Sequence, residues 1–159
     1  MVEKKAKELT MRDSLKSGLS FIFEYKVPPE RTVPCLLPES PEFQQMPRVL
    51  ATGYMIGLFE WACIKAVNPH LDWPREQSVG IAVRLSHLAA TPPGLTVTIS
   101  GELVTMEGRR LEFAMQGHDG VELISKGTHG RYIIDARRFN EKAEAKLAAA
   151  LREGPQSTA

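Results

Sequence analysis

Glu60 is the only formal charge in the run VLATGYMIGLFEWACI, residues 49–64. An ionised carboxylate inside an apolar helix is expensive unless it is paired, hydrogen-bonded or protonated. Carboxylates placed this way in clefts serve as general bases or nucleophiles. The competing reading is a structural residue that reaches an interface or bonds a loop amide. Thr52 opens the same stretch, and its hydroxyl reads as an ordinary N-cap for an orphan amide. Eight residues separate Thr52 from Glu60, about 12 Å along a helix. Joint action therefore needs either substrate between them or completion across a dimer interface. His87 shares odd numbering with Val79, Ile81, Val83 and Leu85, so it continues the apolar face expected to meet that helix. Such a histidine is either an acid/base group or a packed core residue. His118 falls on the polar face with Glu112 and Gln116, His70 lies in the loop NPHLDWP, and His129 lies between two glycines. No pair among the four has metal-ligand spacing. Cys63 reads as a small apolar filler, and Tyr54, Phe59 and Trp61 as core.

The elements that must position these groups follow from periodicity. Residues 49–64 are apolar around the whole helical wheel, the mark of a helix covered on every side. Too few apolar residues stand between Arg48 and Lys65 for a membrane span, which needs about 20. Leu19 to Val27 reads as a first strand, followed by a proline-punctuated loop from Pro34 to Pro47 of the kind that forms lids. Apolar residues alternate with polar ones in 79–89, 95–103 and 111–115, the pattern of half-buried antiparallel strands. Glu107-Gly108, Asp119-Gly120 and Thr91-Pro-Pro-Gly94 mark the turns. A last strand runs from Val121 to about Ile134, with a bulge expected at Gly127 and Gly130. The order is strand, long buried helix, then a four-strand meander. That is an α+β hotdog fold, an antiparallel sheet wrapped around a central helix. Residues 1–18 read as a polar extension, frayed or disordered, residues 19–136 as a single hotdog domain, and residues 137–159 as a C-terminal surface helix and tail. A small sheet leaves an edge that a second copy commonly covers, so a homodimer is expected.

Composition narrows the partners. The chain has 159 residues, 43% hydrophobic and 25% charged, with 20 Lys+Arg against 19 Asp+Glu. A net charge of +1 argues against a general nucleic-acid binder. The cysteines, Cys35 and Cys63, are too few for a disulfide framework. The charged start MVEKKAKELTMR lacks the apolar core of a secretion signal. The expectation is a cytoplasmic protein with no nucleic-acid or membrane partner.

Several runs then stand out together: PESPEFQQMPRVLATGYMIGLFEWACIKAV, SHLAATPPG, EGRRLEF, HDGVELISKGTH and RFN. Over roughly residues 20–142 the chain resembles the fluoroacetyl-CoA thioesterase family of hotdog-fold acyl-CoA thioesterases. The resemblance implies a homodimeric hydrolase of a short or small acyl-CoA, possessing no metal or redox cofactor, with coenzyme A as part of the substrate. It implies catalytic roles for Thr52, Glu60 and His87. It also implies that Gly80 and Arg131 line the acyl pocket and that Phe43 is a lid aromatic, with Met46 where a second lid aromatic is expected. Alternatives of other classes are a non-catalytic acyl-CoA-binding hotdog protein and an enoyl-CoA hydratase built on His118 and Asp119.

Overall fold

Alternation of apolar and polar side chains becomes five strands: β1 (Ser20–Lys26), β2 (Glu76–Leu85), β3 (Thr96–Glu107), β4 (Arg110–His118) and β5 (Leu123–Asp135). They form one antiparallel sheet in the order β1-β3-β4-β5-β2, so β1 and β2 are its edges. Among the described residues four α-helices complete the fold: α1 (Val33–Leu36), α2 (Pro41–Gln44), α3 (Thr52–Val67) and α4 (Ala136–Glu153). The structure is a computed structural model and describes residues 9–153. Helix α3 lies in the curl of the sheet. Its Met55, Leu58, Phe59, Ala62 and Cys63 bury against Phe23, Val97, Ile99, Leu103, Leu111, Phe113 and Met115. Each large side chain so buried contributes about 1.5–3 kcal/mol. The hotdog architecture is the one expected, but the four-strand meander is not: only β3, β4 and β5 follow one another as hairpins, while the chain from β2 crosses over through Thr91-Pro-Pro-Gly94 and leaves β2 paired with β5 at the far edge. No described helix is long and apolar enough to cross a membrane.

Four local expectations are corrected. Helix α3 is not covered on every side, because Gly57 and Trp61 face outward in the single chain. Trp61 packs edge-on against Phe23 and Tyr25, with centroids 5.0 and 6.1 Å away, and remains 45% exposed. The uniform odd parity of β2 fails at Ile81, an extra residue between the pairs Gly80↔Arg131 and Ala82↔Gly130. One inserted residue moves every later side chain to the other face. Glu76, Ser78 and Gly80 therefore face inward before the bulge, while Val79 and Ile81 line an outer groove with Tyr132. After the bulge the odd positions turn inward, and Leu85 packs on the core.

The bulge expected at Gly127 and Gly130 lies elsewhere too. In β5 the extra residue is Ile124, and Gly127 instead supplies space: a Cβ there would sit 1.8 Å from the Arg84 carbonyl oxygen. Residues 1–8 of the polar extension lie outside the described residues, but 9–18 are docked and not frayed. Leu15 is buried, the Arg12 amide donates to the His70 carbonyl at 2.9 Å, and the Thr10 amide donates to the buried Glu76 carboxylate. The turns at Gly108 and Gly120 are as expected, with φ of 57° and 91°.

Candidate active site

The first group of candidate residues gathers at the start of α3. Ala51 is the N-cap, and its methyl cannot accept from an amide, so the first turn has no side-chain cap. Thr52 is the first helical residue and does not cap. Its Oγ1 lies 2.8 Å from Nδ1 of His87, in the loop that leaves β2. Burial pushes the His87 pKa below the ordinary histidine value, so the ring is neutral at neutral pH. Its Nε2 is buried with no hydrogen-bond partner among the described residues. Beside this pair, α1 is fastened over the helix start: the Tyr54 hydroxyl donates to the Cys35 carbonyl at 3.0 Å. Gly53 lets it come close, since a Cβ there would lie 2.8 Å from a Leu36 methyl.

Two turns further along, Glu60 meets β2 and β5. Its side chain is 39% exposed, so the expected sealed carboxylate is instead a paired one on the flank of the helix. Arg131, only 2% exposed, donates from Nη1 to Glu60 Oε1 at 3.4 Å. The same guanidinium donates from Nε to Ser78 Oγ at 3.0 Å and from Nη2 to the Ser78 carbonyl. Nη1 also reaches His129 Nε2 at 3.0 Å, and that nitrogen lies 3.9 Å from Glu60 Oε1. Gly80, paired with Arg131 across the strands, leaves the carboxylate its room: a Cβ at Gly80 would lie 2.2 Å from Glu60 Oε1. Among the described residues, no hydrogen bond or ion pair joins the Thr52–His87 pair to the Glu60–Arg131 cluster. A groove of about 1390 Å³ reaches Ile56, Val83 and Leu85, but Thr52, Glu60, His87 and Arg131 are not among its lining residues. In the single chain Thr52 is exposed and Glu60 partly so, with His87 half-buried beside the first and Arg131 and His129 buried behind the second.

Comparison with known proteins settles what this arrangement belongs to. Residues 36–137 match the family described as fluoroacetyl-CoA-specific thioesterase. The chain belongs to that family. A fluoroacetyl-CoA thioesterase of Streptantibioticus cattleyicolor is 50% identical over 139 residues, which is 87% of this chain and 99% of the relative. A solved fluoroacetyl-CoA thioesterase structure superposes with a TM-score of 0.82 at 50% identity, covering 84% of this chain and 98% of that one. A thioesterase superfamily member of Thermus thermophilus has the same fold at 25% identity, with a TM-score of 0.73 over 86% of this chain and 98% of that one. The protein is thus a thioester hydrolase.

The remaining candidates of the thioesterase sort by position. Phe43 is half-buried in α2, whose N-cap Ser40 accepts from the Phe43 amide at 3.3 Å, and Met46 beyond it is 51% exposed. The loop expected between Pro34 and Pro47 is therefore two short helices. Gln44 ties the second to the first by donating to the Pro34 carbonyl at 2.7 Å. His118 and Asp119 build a turn and do not form a site. Asp119 accepts from the Val121 and Glu122 amides and the Thr91 hydroxyl, and His118 Nδ1 accepts from the Gly120 amide. Burial pushes the Cys63 thiol up to about 12, so it is an inert filler as expected. His129 is the residue that sequence reasoning missed. The signal was available, because His129, Arg131 and Ile133 alternate along β5 and share the inward face.

Proposed function

We propose that this thioesterase hydrolyses a short or small acyl-CoA, of the fluoroacetyl-CoA kind, to the free acid and CoA, with no resident metal or redox cofactor. The observation that carries the reading is the Glu60 carboxylate on helix α3, half-open to solvent and gripped by the buried Arg131 of β5, with the Thr52–His87 pair at the start of the same helix. Glu60 either attacks the thioester carbonyl, giving a mixed anhydride that water then opens, or takes a proton from the attacking water. Both routes expel CoA thiolate, which is protonated afterwards. Glu60 lies about two helical turns from Thr52 in the same chain, so the Thr52–His87 pair that meets it at the reacting carbonyl comes from the second copy of a dimer: Thr52 orients the carbonyl, and neutral His87 accepts and returns a proton. The uncapped first-turn amides of α3 in that second copy, at the positive end of the helix dipole, suit the developing oxyanion. Met46 in place of a lid aromatic favours a less selective acyl site, since a flexible thioether fills space less specifically than a ring.

The open site fits a homodimer. Strand β2 is a free edge, and Ile81 and Val83 on it are 44% and 40% exposed. Pairing two β2 edges would bring a second copy against Gly80 and Glu60. Light scattering is expected to give the mass of two chains at micromolar concentration, and a mass of one chain would sink the dimer. A cytoplasmic location goes with CoA thioesters as substrate, and recovery in a membrane or secreted fraction would remove it. The enzyme itself is tested by thiol release from acetyl-CoA, fluoroacetyl-CoA and longer acyl-CoAs in buffer containing a chelator. The expected result is turnover of the two-carbon substrates well above that of the long chains. Ligand binding without thiol release would favour the non-catalytic acyl-CoA binder instead.

A further inference from the structure

We propose that His129 is a positioning residue of this site: its unprotonated Nε2 holds the Arg131 guanidinium at the angle from which Nη1 grips the Glu60 carboxylate. The inference rests on Glu60 being the catalytic carboxylate and adds to it a residue with no assigned role. The imidazole is 1% exposed and is held at both nitrogens. Nδ1 lies 3.0 Å from the Ala82 carbonyl oxygen, which can only accept, so Nδ1 carries the proton. Nε2 of the neutral ring is then a pure acceptor, and Arg131 Nη1 donates to it at 3.0 Å. That same Nη1 is the atom that reaches Glu60. The tautomer is thus set by β2, the guanidinium by the tautomer, and the carboxylate by the guanidinium.

Protonation would undo this chain of contacts. A charged ring presents Nε2–H to an N–H of Arg131, donor against donor and cation against cation. Burial, and then the charge of Arg131, push the His129 pKa below the ordinary histidine value. Glu60 from α3, Glu112 from β4 and the Ala82 carbonyl from β2 push the other way without reversing the shift. The ring is therefore neutral at neutral pH and gains its proton only below the ordinary histidine range. As pH falls below the ordinary histidine value and the ring takes its proton, Arg131 is driven off Nε2 and the grip on Glu60 loosens. Activity should fall on the acid side for a reason that is separate from Glu60 itself.

Two variants test it, with kcat, KM and the pH profile measured on acetyl-CoA and fluoroacetyl-CoA. His129→Leu removes the acceptor and is expected to lower kcat by about 10–100-fold, the cost of misplacing a reacting group by up to 1 Å, with KM within a few-fold. His129→Gln keeps an acceptor oxygen that does not titrate. It is expected to recover most of the kcat and to move the acid limb of kcat/KM to lower pH than in the natural protein. Three results would each overturn the inference: a kcat for His129→Leu within twofold of the natural protein, a His129→Gln as impaired as His129→Leu, or unchanged acid limbs. Hydrolysis that survives Glu60→Gln would instead overturn the underlying site reading. A dead Glu60→Gln beside normal His129 variants would overturn the role of His129 alone.

Discussion

Replacing Glu60 by glutamine is expected to lower kcat by on the order of 10³-fold while leaving the fold intact, within the range that a lost general base or nucleophile costs. Glutamine has the same shape, and its carbonyl oxygen still accepts from Arg131. What disappears is the charge and the ability to attack or take a proton. The loss of the ion pair itself should be small in stability, about 1 kcal/mol or less, because Glu60 is partly exposed and solvent screens it. Arg131 keeps its bonds to Ser78 and His129 in the variant. Thiol release and thermal melting measured on the same preparation check the prediction. Turnover within tenfold of the natural protein, at an unchanged melting temperature, would remove Glu60 from the chemistry.

Gly80→Ala is the second large effect, expected at about 100-fold in kcat with little change in melting temperature. The reason is local. The new methyl would lie 2.2 Å from Glu60 Oε1 and 3.3 Å from His129 Cε1, so one of them must move. The carboxylate is the free end of a flexible side chain and moves most easily, by more than 1 Å, away from Arg131. A displacement of that size costs about 10²-fold in a well-oriented reaction. The backbone at Gly80 does not need a positive φ, so alanine introduces no strain there and the sheet should survive. A kcat equal to that of the natural protein would show that the carboxylate's position is not what Gly80 protects. A melting temperature that collapses together with the activity would show that Gly80 serves the sheet.

Much of the architecture was legible because its signals are local. A two-residue period needs only neighbouring side chains to be read, so the strands and the glycine turns at Gly108 and Gly120 could be placed directly, whereas the neighbour of β2 could not. The apolar run around Glu60 announced a central helix and a carboxylate that had to find a partner. His87 was assigned to the inward face correctly, although the count began on the wrong side of a bulge. The parity that located it holds only from Val83 onward, whereas Val79 and Ile81 point the other way. Thr52 was misread as a cap because its hydroxyl had an amide nearby in sequence and a histidine 35 residues away, and only the fold brings that histidine to 2.8 Å.

The sequence by itself thus determined the helix, the strands, the hairpin turns and which acidic group was out of place. Tertiary structure alone decided how that group is held: by Arg131, 71 residues along the chain, with His129 behind it and an empty position at Gly80 in front. The physical reason is range. Helical and strand periods arise from backbone geometry over a few residues. The bulge at Ile81 and the Glu60–Arg131–His129 contacts depend on how β2 pairs with β5 and how α3 settles on both, which no local pattern encodes.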